Sequence, residues 1–242
     1  MTTVADHYEA HLAPVYLWMS GGEDAAFARG DAEIAAVLPH LATGTTAVDL
    51  GAGFGMHAIP LGRRGYSVVA VDSSTLLLKE LRRHAAGLPV NAVRDDLLSF
   101  QRYVNSRVGL ILIMGDTLTH LPDQSAVQTL IARAAESLCP GGQFIATFRD
   151  YTSPLAGDAR FIPVRADENR ILTCFLEYGD DHVDVHDLLY ERQGSVWQFK
   201  VSGYRKLRLS PAWVGGALRD AGFSVRSEPG PSGMVRLIAT RA

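Results

Sequence analysis

The sequence predicts an α/β fold built on a parallel sheet covered on both faces, and three observations carry that prediction. Between residues 46 and 148, short apolar segments alternate with segments of helical periodicity. The apolar segments are near-continuous rather than alternating, as strands must be when both of their faces are buried. The first of them runs into Gly51-Ala52-Gly53-Phe54-Gly55, where glycines permit the sharp passage from strand to helix. Ligands of such sheets bind at the carboxyl ends of the strands.

In order along the chain, residues 1–41 place Tyr8, Leu12, Val15 and Tyr16, then Ile34, Val37, Leu38 and Leu41, at helical spacing, with Ser20-Gly21-Gly22 separating two helices. Thr46–Leu50 is the first strand, and the helix after the glycine cluster must tolerate Pro60 in its opening turns. Ser67–Val71 is the second strand, closed by Asp72, with Ser73 placed to cap a helix through Arg83. Strands at 90–93 and 108–114, a helix at 124–138, a Pro140-Gly141-Gly142 turn and a strand at 144–148 continue the alternation. After Arg149 the pattern changes: 170–178, 182–192 and 196–209 read as three strands of an antiparallel meander. Ser210-Pro211 opens a helix that Gly222 stops, and strands at 223–227 and 234–240 flank the Pro229-Gly230-Pro231 turn. The expected organisation is one domain over 1–242: a helical lid (1–41), a ligand-binding core (46–148), a β-insertion (151–209) and a closing helix and strands (210–242).

The 242 residues support a single large core, and 47% hydrophobic with 20% charged residues is ordinary globular composition. A net charge of −3 provides no overall positive field, so neither nucleic acid nor an anionic membrane is an expected partner. Cys139 and Cys174 lack the paired spacing of a disulfide framework or zinc cluster. No run of about 18 apolar residues exists and the first residues lack a signal peptide's basic and apolar regions, so a cytoplasmic protein is expected.

The glycine loop does not have the spacing of a dinucleotide pyrophosphate clamp, because Met56 stands where the third glycine belongs. Asp72, at the end of the next strand, can accept both hydroxyls of a ribose. Asp95-Asp96-Leu97 follows the third strand, where a carboxylate can accept from an adenine amino group and Leu97 can face the ring. Together these residues describe an adenosine site without an obvious phosphate site.

Val48–Gly55, Val71-Asp72, Asp95-Asp96-Leu97, Met114–Leu121 and Leu138–Gly142 resemble, in order, the successive motifs of class I S-adenosylmethionine-dependent methyltransferases. The resemblance implies a Rossmann-like, doubly wound seven-stranded sheet whose last strand is antiparallel. It implies S-adenosylmethionine as methyl donor, S-adenosylhomocysteine as product and no metal. By position it assigns Gly51, Ala52 and Gly53 to the methionine part and sugar, Asp49 to orienting that loop, and Asp72 with Ser73 to the ribose. Asp96 and Leu97 would meet adenine, with Asp95 the rival carboxylate. Met114 and Gly115 would lie beside the methyl sulfonium, and Tyr8 and Tyr16 resemble the aromatic lid residues of small-molecule members. The competing readings are a catalytically silent donor-binding protein and, less favoured by the glycine spacing, a nicotinamide-dependent oxidoreductase.

Displacement at a sulfonium needs mainly positioning, with a base required only for a protonated amine, alcohol or phenol. His120 is the candidate base, and Asp116, four positions earlier, could orient an amine or cap its turn. His57 is expected to bond locally or to meet the donor carboxylate. His182, Asp184 and His186 alternate on one strand face and read as a solvated face rather than a metal site; Arg205-Lys206-Leu207-Arg208 reads as a solvated edge. Phe175, Tyr178, Tyr190, Trp197 and Phe199 could wall an acceptor cavity, core the meander or form an oligomer interface. The expected acceptor is a small molecule methylated at nitrogen or oxygen, and the expected protein is a monomer or homodimer.

Overall fold

The computed structural model describes residues 2–38 and 45–242; Leu41, the last apolar position of the expected leading helices, lies outside the described residues. The leading segment comprises α1 (Val4–His7), a π turn over Tyr8–Leu12, a 3-10 turn at Ala13–Val15 and α2 (Tyr16–Met19). Pro14 supplies no N–H to the ladder, which accounts for the change of winding there. After Gly21 and Gly22, both at positive φ, comes α3 (Glu23–Ala35). The core then runs β1 (Thr46–Leu50), α4 (Ala58–Arg63), β2 (Ser67–Asp72), α5 (Thr75–His84), β3 (Val90–Arg94), β4 (Val108–Ile113), α6 (Gln124–Ser137) and β5 (Leu138–Phe148). Pro60 is the third residue of α4, where its missing N–H falls in the first turn and costs no ladder bond. The cap of α5 is Ser74, whose hydroxyl accepts from Leu77 N, and not Ser73. Residues 139–142, expected as a turn before β5, loop out within it: Val108 pairs with Leu138 but Leu110 already pairs with Gln143.

The insertion holds one strand more than the periodicity indicates. β6 (Phe161–Ala166) precedes β7 (Arg170–Tyr178), β8 (His182–Gln193) and β9 (Val196–Leu207), giving an antiparallel sheet in the order β6-β7-β8-β9. Pro163 and a register shift between Pro163 and Arg165 hide β6 from a sequence pattern, and they confine it to the edge, where a missing N–H is tolerated. Ser210 caps α7 (Pro211–Asp220), which leads to β10 (Phe223–Pro229) and β11 (Val235–Arg241).

The main sheet has seven strands in the order β10-β11-β5-β4-β1-β2-β3, and β11 is antiparallel to both of its neighbours. Every residue of β4 is buried, with Ile111 and Ile113 in the apolar layer that includes α6 and α7 residues and Leu110 and Leu112 in the opposite layer with α3, α4 and α5. Strand order reverses between β4 and β1, so their carboxyl ends diverge and leave a cleft at that point. Gly30 allows α3 to approach that cleft, since a Cβ there would sit 1.9 Å from the Met56 carbonyl oxygen. Two smaller apolar clusters join the leading segment to the insertion: Leu12 and Val15 pack with Leu172 and Leu189, while Val4 and Tyr8 pack with Leu176, Val185 and Tyr204.

Candidate active site

A cleft of about 520 Å³ opens over the carboxyl ends of β1, β2, β3 and β4, a size in the range of small-molecule sites. Of the donor residues expected from sequence, Tyr8, Tyr16, Gly51, Ala52, Gly53, Asp72, Ser73, Asp95, Asp96, Leu97, Met114 and Gly115 line it. Asp49 does not: it is buried beneath the loop.

The glycine loop is held from below and from the side. Gly51 has φ +72°, and a Cβ there would lie 2.4 Å from Thr117, so the β1 loop can pass the β4 loop only with glycine. Asp72 fixes the loop through Gly53 N, which donates to Oδ2 at 2.8 Å, and fixes the following turn through Ser74 N, which donates to Oδ1 at 2.8 Å. Each carboxylate oxygen keeps a second lone pair for a ligand. Burial raises the Asp72 carboxyl above its ordinary value despite those donors. The same cause pushes Asp49 up to about 6, and its Oδ2 has no partner.

Asp95 and Asp96 differ in what they leave open. Asp95 accepts from Asp96 N through Oδ1 and from the Tyr103 hydroxyl, at 2.6 Å, through Oδ2; that hydroxyl is the main cause of its lowered pKa. Asp96 spends only Oδ1, on Leu98 N, as the cap of the 3-10 turn Leu97–Tyr103. At the far wall the His57 Nε2 meets Glu33 Oε2 of α3 at 2.9 Å, a tertiary contact rather than a bond within its own turn. Arg29 also lines the cleft; its nearest carboxylate is Glu33 at 4.0 Å. The sequence reading missed Arg29, whose only local signal is its i,i+4 spacing from Glu33.

The remainder of the cleft lies beyond β4, bounded by His120, Leu121, Pro122, Arg149, Ser232 and Met234. His120 stands between the rings of Tyr8 (5.4 Å) and Tyr204 (5.6 Å, edge-on). Its Nε2 is buried without a hydrogen-bond partner. Burial, reinforced by the Lys206 cation, lowers its pKa to about 3, so the imidazole is neutral at any ordinary pH.

Asp116 is not on the cleft wall. It sits at φ +77°, and its carboxylate is consumed behind the wall: Oδ1 accepts from Arg149 N, while Oδ2 accepts from the Tyr151 hydroxyl at 2.8 Å and from Lys206 Nζ at 2.5 Å. Lys206 is therefore buried rather than on a solvated edge. Alternation along β9 turns Lys206 and Tyr204 inward while Arg205 pairs with Asp184 outside, so the basic run was misread by taking its residues together. Burial acts to raise the Asp116 pKa, but Lys206 outweighs it and holds the carboxyl below its usual range.

Phe175, Tyr178, Tyr190, Trp197 and Phe199 do not line the cleft; the insertion reaches it through Val164, and Tyr204 backs His120. The strand face of His182, Asp184 and His186 pairs with charges around it: His182 with Asp181, Asp184 with Arg205 and His186 with Glu177. Among the described residues, no helix is long and apolar enough to cross a membrane.

Residues 47–142 match the family model described as a methyltransferase domain. The cypemycin N-terminal methyltransferase of a Streptomyces species is 31% identical over 137 residues, 54% of this chain and 53% of that one, so the match spans about half of each. Solved structures resemble nearly the whole chain, among them the following two. DesVI of Streptomyces venezuelae superimposes with a TM-score of 0.79 at 18% identity, covering 97% of this chain and all of that one. CalS10, an S-adenosylmethionine-bound amino pentose methyltransferase of Micromonospora echinaspora, gives 0.76 at 16% identity, covering 95% and 96%. At these identities the likeness is one of fold.

Proposed function

We infer that this chain, whose residues 47–142 match a methyltransferase-domain family model, transfers the methyl group of S-adenosylmethionine to a nitrogen of a small amine. When bound, the donor supplies a methyl group activated by a positively charged sulfur and leaves as S-adenosylhomocysteine. The β1–β3 side of the cleft suits its adenosine part. Asp72 accepts the ribose hydroxyls through its remaining lone pairs, the unspent Oδ2 of Asp96 accepts from the adenine amino group, and Leu97 packs on the ring. Arg29 meets the donor's carboxylate, and Tyr8 and Tyr16 close over it.

The observation that carries the choice of nitrogen is the buried, unpartnered Nε2 of a His120 whose pKa is about 3. Such an imidazole is several powers of ten too weak to take a proton from an alcohol or phenol efficiently at neutral pH. It is well suited to accept a hydrogen bond from the N–H of a neutral amine and so aim the lone pair. His120 thus acts by touching the acceptor rather than by storing its proton, and Asp116 positions the loop that bears it. A second reading, the terminal amine of a peptide, is favoured by the relative that methylates cypemycin; it uses the same chemistry with a larger acceptor.

The test is to incubate the protein with methyl-labelled S-adenosylmethionine and separate pools of small amines, small alcohols and phenols, and peptides. Label in the small-amine pool supports the reading. Label only in hydroxyl compounds overturns the choice of nitrogen, label only in peptides overturns the acceptor size, and a failure to bind S-adenosylhomocysteine overturns the donor.

A further inference from the structure

The inner face of the insertion sheet carries a carboxylate where an aliphatic side chain is due. Along β8, Val183, Val185, Asp187 and Leu189 all point inward and all are buried, so the alternation is kept and only the residue type breaks it. The cross-strand neighbours of Asp187 are polar too: Cys174 of β7 and Ser202 of β9 lie directly opposite it. This stripe across three strands faces the leading segment, and two histidines four residues apart reach it from there. His7 Nε2 donates to Asp187 Oδ2 at 2.9 Å, and His7 Nδ1 meets the Ser202 hydroxyl at 2.8 Å. His11 Nε2 donates to the Asp187 carbonyl at 3.1 Å, and the Cys174 thiol donates to Oδ1. Asp187 is 2% exposed and His7 1%.

Such a buried pair is a poor source of stability, because desolvation offsets its attraction and an aliphatic side chain like its neighbours would pack as well. What it provides is register. The other contacts between the leading segment and the insertion are apolar, Leu12 and Val15 on Leu172 and Leu189, and Val4 on Leu176 and Val185. Apolar contact is non-directional and does not by itself fix the rotation of a helical turn. His7 is followed at once by Tyr8, the first residue of the π turn, whose ring lies 5.4 Å from His120 and 6.0 Å from Tyr204. Tyr16 instead lies 5.9 Å from Phe54 of the glycine loop. The two tyrosines therefore serve different halves of the cleft, and the histidines hold the half that bears Tyr8. From the opposite side, Glu9 Oε2 accepts from Ser74 Oγ at 2.6 Å, so the turn is held between the insertion and α5.

We propose that Asp187 is a positioning residue for methyl transfer: by fixing His7 it sets the rotation of the π turn and holds the Tyr8 ring against His120, at the wall that receives the acceptor amine. This rests on the methyltransferase reading. It gives the insertion a part in the site although its own side chains reach the cleft only at Val164. A displacement of about 1 Å at a reacting centre can cost about 100-fold in rate, so fixing one aromatic wall has a kinetic effect out of proportion to its effect on folding. An amide at position 187 still accepts from His7 Nε2 through its oxygen, whereas an aliphatic side chain leaves the imidazole free to turn.

The experiment compares Asp187→Leu and Asp187→Asn in the full chain by hydrogen exchange and by turnover. Asp187→Leu completes the aliphatic row, so it should melt within a few degrees of wild type and bind S-adenosylhomocysteine within about threefold. Amides of residues 4–12 should exchange at least about tenfold faster while those of β1 and β4 keep their protection. Methylation of the small-amine pool, with labelled S-adenosylmethionine saturating, should fall at least about tenfold. Asp187→Asn should return both quantities to within about threefold of wild type. Unchanged exchange at 4–12 in the Leu variant overturns the proposal, and so does wild-type turnover with that segment loosened. Faster exchange over the whole chain, with a matching loss of Tm and no rescue by Asn, makes Asp187 structural only and overturns it as well. Ser202→Ala, a milder change that removes the second partner of His7, should loosen residues 4–12 in the same way, and decides the matter if Asp187→Leu does not fold. A wild type that neither binds S-adenosylhomocysteine nor labels an amine breaks the methyltransferase reading, while the exchange comparison still reports whether Asp187 holds the segment, so the two failures are distinguishable.

Discussion

On the β1–β3 side of the cleft, the polar groups come from three short loops, each directly following its strand: Gly51–Gly53, Asp72–Ser73 and Asp95–Leu97. On the β4–β5 side, they come from segments as far apart as Tyr8, His120, Tyr151 and Lys206. The first side has two carboxylates, Asp72 and Asp96, that are anchored by backbone N–H groups and keep capacity to accept on the cleft side. The second works with a carboxylate fully spent on its neighbours, whose effect on the cleft is to fix one turn and one neutral imidazole. One side is a binding surface written locally; the other is a scaffold assembled by tertiary folding.

The largest expected effect breaks that scaffold. Lys206→Met leaves the Asp116 carboxylate buried with Tyr151 and Arg149 N as its remaining donors, which should cost about 3–5 kcal/mol. That corresponds to a loss of roughly 10 °C in Tm for a chain of this size. Because Lys206 depresses the folded-state pKa of Asp116, the stabilisation it brings is present above the unfolded value near 3.9 and is lost as pH falls through the lower folded value. The gap between wild type and variant should therefore hold from pH 8 down to about 4 and narrow only below that, as pH falls toward the folded value. Adding Asp116→Asn should recover more than half of the loss. Thermal scans of wild type and the two variants from about pH 2.5 to 8 check this, and a gap that stays constant below about pH 4 would remove the ion pair as its cause.

How much of this was legible differs between the two sides for the same reason. The alternation of strands and helices over 46–148 and the glycine loop follow from patterns within about ten residues of one another, whereas the seven strands and the antiparallel last one came only with the family resemblance. The candidate donor residues could be nominated one loop at a time. Ser74 rather than Ser73 as the α5 cap is a one-residue slip of the kind local patterns allow. On the other side, Lys206 lies in a run of basic residues that its strand splits between two faces, and nothing nearby marks its partner 90 positions away. Asp116 reads from the sequence as a residue that orients an amine or caps its turn; the fold does neither with its carboxylate, which turns away from the cleft and accepts from Lys206. Pro163 concealed β6, and the insertion's aromatics faced outward because register, invisible in composition, decides which alternate set is buried.

The next effect sharpens the comparison at its centre. His120→Asn should lower turnover about 100-fold, the size expected from misaiming an acceptor, with little change in donor affinity. Since His120 is neutral above about pH 4, the rise of kcat/KM with pH belongs to deprotonation of the acceptor ammonium. That midpoint should stay in place in the variant. A midpoint that disappears with the histidine would make His120 a proton carrier instead.

On the donor side, Asp72→Ala should weaken S-adenosylhomocysteine about tenfold, the consequence of unpaired ribose hydroxyls and a loosened Gly53. Asp96→Ala should reduce the preference for the adenine over the hypoxanthine form of that ligand, and Asp95→Ala should not, because both Asp95 oxygens are already engaged. Calorimetric titration with the two ligands reads both effects. Equal discrimination in all three proteins would remove the carboxylate from adenine recognition.

The smallest effect asks whether the donor side also stores buried charge. Asp49 has a folded pKa of about 6, raised by burial, against about 3.9 in an unfolded chain. Between those values the folded protein holds more protons than the unfolded one, so this group's contribution to stability declines as pH rises from about 4 to 6 and stays low above that. Asp49→Asn keeps an oxygen to accept from Ala58 N while removing the charge. The variant should gain on the order of 1 kcal/mol, a few degrees of Tm, at pH 7.5, and nothing at pH 4.5 where the wild-type carboxyl is already protonated. The sign is opposite to that of Lys206→Met, and that opposition is the sharpest form of the contrast: removing charge beneath the glycine loop should stabilise, whereas removing it behind His120 should destabilise. If Asp49→Asn instead loses stability at pH 7.5, its ionised oxygen has a role in holding the loop that the unpartnered Oδ2 does not reveal, and both sides of the cleft are built on buried charge.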